Sequence, residues 1–140
     1  MAITFSKIIT GEAEASFVYR DELVSAFMDI EPINTGHVLV VPNKVVSSIS
    51  DLDDETSARL FVVAKRIANA IRKSQIPCDG INLFLADGED AGQEVSHVHL
   101  HVIPRLRNDG FDIKYPETGH FISERAKLDS AAKIIEQNLK

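Results

Sequence analysis

The segment His97-Val98-His99-Leu100-His101-Val102-Ile103-Pro104 places three of the chain's five histidines at alternate positions of an apolar run. Successive side chains of a β-strand point to opposite faces of the sheet, so a strand here presents His97, His99 and His101 on one face. The intervening apolar side chains then face the core. Three neighbouring imidazoles are costly to bury without partners, which predicts that they share solvent, a metal ion or an anion.

Composition and charge limit the class of protein. The 140 residues are 44% hydrophobic and 26% charged, as in an ordinary globular protein, and we expect a single domain over residues 1–140. The formal charge of −6 argues against non-specific binding to nucleic acid or to an anionic membrane, since both require a basic surface. Short apolar stretches, the lack of a secretory signal and a lone Cys78 predict a cytoplasmic protein.

The hydrophobic pattern predicts five strands, at residues 17–20, 24–28, 37–42, 81–85 and 98–103. The first two are separated by a polar turn, which indicates an antiparallel hairpin. Because strands and helices do not alternate strictly, we expect the α+β class, with an antiparallel sheet of about five strands, one long central helix and a C-terminal helix.

The long helix is predicted from Asp53, its N-cap, to about Ser74. The C-terminal helix is predicted from Ser123 or Asp129 to about Leu139. The apolar stripe of the long helix consists of Leu60, Ala64, Ile67 and Ile71 at helical spacing, widened by Phe61 and Ala68.

Two kinds of chemistry fit the row of histidines. In the first, His97 with His99 or His101 holds a divalent metal, with His37 available as a further ligand. In the second, one imidazole attacks an electrophile while its neighbours bind the anion and protonate the leaving group. The chain offers no Cys cluster and no H-E-x-x-H motif, so we predict neither a metal nor another cofactor.

The loop before the histidines, residues 87–96, favours the nucleophile interpretation. Gly88 and Gly92 allow the backbone to approach a ligand closely, and Gln93 carries an amide that can donate to a phosphoryl oxygen. Such a loop can cradle one phosphate directly before the histidine strand.

Residues 92–105 read Gly-Gln-Glu-Val-Ser-His-Val-His-Leu-His-Val-Ile-Pro-Arg, which resembles the signature of the histidine triad (HIT) superfamily, His-apolar-His-apolar-His-apolar-apolar. The resemblance extends to residues 5–12, 27–32 and 36–42, in family order and at family-like spacing. It implies a HIT-like fold and a bacterial-type HIT hydrolase.

The resemblance implies a nucleotide hydrolase or nucleotidyl transferase that acts at the α-phosphate of a purine nucleotide conjugate, either a nucleoside phosphoramidate or a dinucleoside polyphosphate. His99 would form a nucleotidyl-histidine intermediate, while His97 and His101 would bind phosphoryl oxygens and help the leaving group depart. A neutral Nε2 on His99 requires its Nδ1 proton to be held, and we expect a backbone carbonyl on the neighbouring strand to hold it. Two alternatives stay open: a nucleotide-binding sensor or scaffold with residual catalysis, and a metal-dependent hydrolase.

The resemblance also implies a set of nucleotide-binding residues. Asp29 would accept hydrogen bonds from the ribose, although it could instead form a turn. His37 would support the triad, or simply cap its strand. The residues implied for the base pocket are Phe5, Ile8, Phe27 and Ile30, each of which could equally belong to the ordinary core. Those implied for the phosphate are Gln93 and Ser96.

Three features depart from the family pattern. Many relatives carry a zinc-binding Cys-x-x-Cys pair near the N-terminus, where this chain has Ile3 and Ser6. Ala86, followed by Asp87, stands where relatives often have an amide that contacts phosphate. Glu94 stands where several relatives have Ser or Thr, which puts negative charge near an anion site.

Relatives usually form two-fold dimers, which implies a homodimer, and an edge strand gains from being covered. The helix from Asp53 to Ser74 and the strand at 81–85 are the predicted interface elements. The expected partners are therefore a purine nucleotide substrate and a second copy of the chain, with no nucleic acid and no membrane.

Overall fold

The computed structural model describes residues 4–117, 119 and 121–139, which form two compact units, Met1–Gly110 and Phe111–Lys140. The second unit contains helix α3 (Arg125–Gln137), and the other elements belong to the first. These are helices α1 (Phe5–Thr10) and α2 (Asp54–Lys73) and strands β1 (Phe17–Arg20), β2 (Val24–Met28), β3 (Val38–Pro42), β4 (Gly80–Phe84) and β5 (Leu100–Arg105).

The predicted α+β class is confirmed. All strand pairs are antiparallel, and the strand order is β1-β2-β3-β5-β4, so β1 and β4 form the two edges. A single domain over residues 1–140 stays a prediction. Among the described residues, no helix combines the length and the apolar character needed to cross a bilayer.

Strand β3 is buried on both faces and separates two apolar clusters. Its side chains alternate, so that Val38 and Val40 pack with α2, whereas Leu39 and Val41 pack with residues of α1. Leu39 is the cross-strand partner of His101, which places this histidine on the α1 face. The larger cluster thus supports the sheet from behind while the smaller one borders the histidines.

Helix α2 follows the predicted pattern closely. Asp53 is its N-cap, and the Asp53 carboxylate accepts a hydrogen bond from the Thr56 backbone N–H at 2.7 Å. Phe61, however, was expected in the buried stripe and is 59% exposed. Helical geometry turns it away from the sheet, and Val63 is buried instead. The residues of the stripe that are buried as expected are Leu60, Ala64, Ile67, Ala68 and Ile71.

The structure also differs from the prediction at α1 and at the start of β5. The six-residue helix α1 was not predicted, and its N-cap Thr4 makes no side-chain capping bond. Strand β5 begins at Leu100 rather than at Val98, because the Val98 backbone N–H donates to Val46 O and not to a strand of the ladder. His97 and His99 therefore lie in the segment that enters β5.

Candidate active site

The three histidines of the row lie together but in unequal environments. His97 and His99 are only 3% and 7% exposed, whereas His101 is half-buried. The ring centroids of His99 and His101 are 5.0 Å apart. The Phe5 ring packs edge-on against both His97 and His99, with centroids 5.7 and 5.2 Å away. Three imidazoles thus form one cluster, bordered by an aromatic side chain of α1.

The His99 ring has a defined proton position. Its Nδ1 lies 2.8 Å from the backbone carbonyl oxygen of His97, which can only accept, so Nδ1 carries the proton of the neutral ring. The Nε2 lone pair is therefore available for attack. A backbone carbonyl was predicted for this role, but on the neighbouring strand; the observed carbonyl lies two residues earlier in the same segment.

The His97 ring is held by a different carbonyl. Its Nε2 donates to Pro42 O at 2.8 Å, at the end of β3. Burial lowers the His97 pKa, with a smaller contribution from charge on His99, while the bond to Pro42 opposes this shift. His97 therefore serves His99 through its backbone oxygen, and contact between its ring and a phosphoryl oxygen stays a prediction.

His37 determines where His101 carries its proton. The Ile33 backbone N–H donates to His37 Nδ1 at 3.1 Å, so the neutral His37 ring carries its proton on Nε2. That Nε2 lies 2.9 Å from His101 Nδ1, a distance at which only one of the two nitrogens can bear hydrogen. His101 Nδ1 therefore accepts, and His101 carries its own proton on Nε2.

The His37–His101 pair is neutral near neutral pH. Burial, with smaller contributions from repulsion by the neighbouring His99 and His37 imidazoles, lowers the pKa of His101 to about 4, against the attraction of Asp29. Burial also lowers the His37 pKa, again opposed by Asp29, whose Oδ2 lies 3.4 Å from His37 Nε2. Two neutral rings linked by one hydrogen bond are thus the stable state of the free protein.

Asp29, His37 and His101 form a group whose potential ligand atoms lie within 4.8 Å of one another. A metal on His37 Nε2 would need the ring proton on Nδ1, but Nδ1 accepts the Ile33 N–H. Coordination would thus cost a hydrogen bond to the half-buried turn that carries Ile33. The hydrogen bonding at this group favours direct contact between the imidazoles over a shared ion.

Three of the four residues predicted for the base pocket come together. Phe5, Ile8 and Phe27 are buried in the cluster on the α1 face, and the rings of Phe5 and Phe27 are 5.5 Å apart. Ile30 is not brought to this cluster, because its side chain is 80% exposed. A role for Ile30 in holding a base stays a prediction.

Asp29 lies at the rim of the histidine cluster, with its side chain 18% exposed. Its Oδ1 accepts from the Glu31 backbone N–H at 2.9 Å, as expected of a turn former, and its Oδ2 faces His37. An ionised carboxylate has further lone pairs, so these contacts leave capacity for hydroxyl donors.

The loop before the histidines borders a cavity of about 500 Å³, lined by Glu89, Gly92, Gln93, Glu94 and Ser96. The Gln93 amide nitrogen donates to Ser47 O at 2.8 Å and to Val95 O at 3.0 Å, while its oxygen accepts from the Gly88 backbone N–H at 2.7 Å. Gln93 thus closes the loop, and a direct bond from it to phosphate stays a prediction. Ser96 is exposed in the cavity, as its predicted role requires.

The structure shows the surroundings of several residues that depart from the family pattern. Asp87 Oδ1 accepts from the Ile49 backbone N–H at 3.0 Å, so this carboxylate is occupied by a neighbouring turn. Ala86 is buried, and Glu94 is exposed at the cavity. Ile3 lies outside the described residues.

Two contacts were not anticipated from the sequence. Phe84 lies opposite His101 in the β4–β5 ladder, and their ring centroids are 5.8 Å apart. The Ile33 N–H that orients His37 is a backbone group, so side-chain identity gives no signal for it. Only the Pro-Ile-Asn-Thr-Gly sequence at 32–36 indicates that a turn precedes His37.

Comparison with known proteins shows which family the chain resembles. The HIT domain model matches residues 10–108. An uncharacterized HIT-like protein of Methanocaldococcus jannaschii is 42% identical over 131 residues, which cover 94% of this chain and 96% of that protein. A crystal structure of a HIT family member from Bacillus subtilis superposes with a TM-score of 0.87 at 34% identity, covering 97% of this chain and 96% of that one.

A further relative, the asymmetrical bis(5'-nucleosyl)-tetraphosphatase of Schizosaccharomyces pombe, is 38% identical over 105 residues, or 75% of this chain and 56% of that enzyme. The expectation of a HIT-type enzyme is confirmed at the level of the family, which includes such hydrolases. With its signature histidines, its sheet and its extended likeness to these proteins, the chain belongs to the HIT family.

Proposed function

We propose that the chain is a nucleotide hydrolase or nucleotidyl transferase acting at the α-phosphate of a purine nucleotide conjugate, a nucleoside phosphoramidate or a dinucleoside polyphosphate. The observation that carries the proposal is the free Nε2 of His99, whose opposite nitrogen donates to His97 O at 2.8 Å. An imidazole whose Nδ1–H is held this way presents the lone pair of its Nε2 as a nucleophile. The tetraphosphatase name of one relative supports a nucleotide as the substrate.

The reaction proceeds in two displacements. The His99 Nε2 lone pair forms a bond to the α-phosphorus, and the bond from phosphorus to the leaving group breaks with its electron pair on the leaving group. Water then attacks the same phosphorus, breaks the phosphorus–nitrogen bond and releases the nucleoside monophosphate with a proton. A transferase differs only in the acceptor that replaces water. Division into two steps replaces one difficult displacement by two easier ones.

His101 supplies the donor for the leaving group. Its Nδ1 is occupied by His37, so its Nε2–H is the group that can face substrate. A bound phosphate is anionic and therefore raises the low pKa of His101, which allows the ring to gain a proton that it passes to the departing oxygen or nitrogen. General acid catalysis of this kind contributes about 10²–10⁴-fold to the rate.

The nucleoside lies at the Asp29 end of the proposed site. The carboxylate there retains acceptor capacity for ribose hydroxyls, and the buried Phe5, Ile8 and Phe27 form an apolar wall suited to a purine. Ser96 and the amides of the loop donate to phosphoryl oxygens at the other end. Buried apolar walls with a few polar groups are typical of small-molecule sites.

The chain is also proposed to form a cytoplasmic homodimer. Strand β4 is an edge of the sheet, and its Leu83 and Phe84 are exposed. Helix α2 exposes Phe61 and Val62 as well. An unpaired edge with apolar side chains gains from association with a second copy.

Substitution of the nucleophile tests the proposed reaction. In His99→Ala, hydrolysis of adenosine phosphoramidate or of diadenosine tetraphosphate is expected to fall at least ~10³-fold, since removal of a nucleophile leaves only binding and electrostatic effects. Binding of AMP, measured by calorimetry, is expected to persist. Mass spectrometry of a single-turnover mixture is expected to show an AMP adduct on the His99 peptide of the unmodified protein.

The matched control is Asp53→Ala. This substitution weakens the N-cap of α2, which is distant in sequence from the histidine row, and is expected to retain turnover. Undiminished turnover in His99→Ala would refute the nucleophile assignment. Binding of AMP without any turnover in the unmodified protein would instead favour the sensor or scaffold. Activity lost in chelator and restored by a divalent ion would favour the metal-dependent hydrolase.

A further inference from the structure

We propose that Asn34 is a positioning residue that fixes the proton positions of His37 and His101. The inference rests on the proposed function for its consequence in catalysis, but the proton positions themselves are a property of the free protein. Asn34 is itself neither a histidine of the row nor a predicted nucleotide-binding residue, and its hydrogen bonds reach His37, Pro104 and Asp109.

Asn34 belongs to the turn that presents a donor to His37. The Asn34 backbone oxygen accepts from the His37 backbone N–H at 3.2 Å, which closes the turn. Within it, the Ile33 backbone N–H points at His37 Nδ1 at 3.1 Å. This donor selects the Nε2–H form of His37, and through the 2.9 Å contact with His101 Nδ1 it selects the Nε2–H form of His101.

The Asn34 side chain anchors that turn to the far end of β5. Its amide nitrogen donates one hydrogen to Pro104 O at 2.9 Å and the other to Asp109 Oδ2 at 2.8 Å. Asp109 is 4% exposed and is bound by the Arg105 guanidinium through Nε and Nη2, each at 2.8 Å. Asn34 therefore connects the turn to a rigid part of the strand that carries His101.

The two donated hydrogens explain why an amide is needed at this position. Aspartate has the same shape but donates nothing, and it would place a second carboxylate against Asp109. Alanine removes both bonds. In either variant the turn loses its tie to β5, the Ile33 N–H is no longer held toward the ring, and His37 can carry its proton on either nitrogen.

Nitrogen NMR of the imidazoles measures this directly. In the ¹⁵N-labelled protein, long-range ¹H–¹⁵N spectra are expected to show Nε2–H forms for His37 and His101 and the Nδ1–H form for His99. In Asn34→Ala and Asn34→Asp, the His37 and His101 signals are expected to shift toward a mixture of the two forms, while His99 is unchanged. Asp53→Ala, as a control for lost stability, is expected to leave all of them in place.

Kinetics supply the second arm. For Asn34→Ala we expect kcat to fall ~10-fold with KM changed less than about twofold, part of the effect that a positioned acid provides. In a His37→Ala background, the same substitution is expected to cause no additional loss of kcat, because the two residues act in series.

Unshifted His37 signals in both Asn34 variants, or additive losses of kcat in the double variant, would overturn the proposal. Absence of turnover in the unmodified protein would count against the proposed function alone, since the NMR arm uses no substrate.

Discussion

At the scale of single residues, the chemistry depends on where each imidazole carries its proton. The sequence presents three histidines as equivalent members of one row, but backbone groups make them different. Pro42 O holds the His97 ring, and His97 O holds the His99 ring. The Ile33 N–H acts on His101 through His37. In the proposed reaction, the row thus comprises one supporting residue, one nucleophile and one donor.

The lowered pKa of His101 predicts a loss of stability in mild acid. The pKa is near 6.5 in the unfolded chain and about 4 in the folded protein, where Asp29, His37 and His99 surround the ring. Between these values the unfolded chain binds more protons than the folded protein. The contribution of His101 to the free energy of unfolding is therefore complete above pH 6.5 and is lost as the pH drops toward 4. Urea unfolding at pH 7.5 and pH 5 measures the change.

His101→Asn serves as the comparison for this experiment. Its free energy of unfolding is expected to depend less on pH over the same interval, although not to become constant, because the pKa values of His37 and His97 are lowered too. An equal dependence in the variant and the unmodified protein would show that His101 does not contribute.

The sequence predicted which histidines come together at the candidate site better than it predicted their individual contacts. The alternating histidines and Asp29 could be found from spacing and resemblance, because these features are local in sequence. The partners of Gln93 could not, since Ser47 is 46 positions away. The exposure of the Ile30 side chain could not be predicted either, because it depends on the path of the chain after β2.

At the scale of elements, strong local signals gave correct boundaries. β1 and β2 begin and end at the predicted residues, and α2 occupies the span between its predicted cap and end. α1 has only six residues, too few for a hydrophobic period to be read, and it is held by burial of Phe5 and Ile8. The start of β5 is set by Val46, a residue of another segment, and so could not be predicted locally.

The cap of α2 gives a prediction about the stability of this element. Asp53→Ala removes the carboxylate that accepts from the Thr56 N–H, and the free energy of unfolding is expected to fall by about 1 kcal/mol. Asp53→Asn, which keeps an oxygen acceptor, is expected to lose only a small part of this. Urea titrations at pH 7 compare the variants, and equal losses in both would show that charge rather than the hydrogen bond matters.

At the scale of the whole molecule, one face of the sheet packs in the main hydrophobic core and the other carries the candidate site. The face that packs on α2 contains most of the buried aliphatic residues, and the opposite face carries the histidines with a smaller cluster from α1. Strand β3, which pairs with β5 and contributes side chains to both clusters, therefore links the candidate site to the main core. Sequence patterns predicted the central helix and the antiparallel sheet, but not which short segment covers the second face.

The proposed homodimer predicts a change in mass on disruption of the β4 edge. Leu83→Arg places a charge on an exposed apolar position of that strand and is expected to shift the protein from dimer to monomer in light scattering coupled to size exclusion. Lys133→Arg in α3 is the control and is expected to leave the mass unchanged. A monomer at all concentrations for the unmodified protein would contradict the dimer.

Phe84 belongs both to the exposed β4 edge and to the surroundings of His101, its cross-strand partner. In the proposed homodimer, a substitution at this position is therefore expected to change both the contact between the two copies and the packing of His101, the proposed donor to the leaving group. The proposed dimerisation and the proposed turnover would then constrain the same residue, so selection on one property would act on the other.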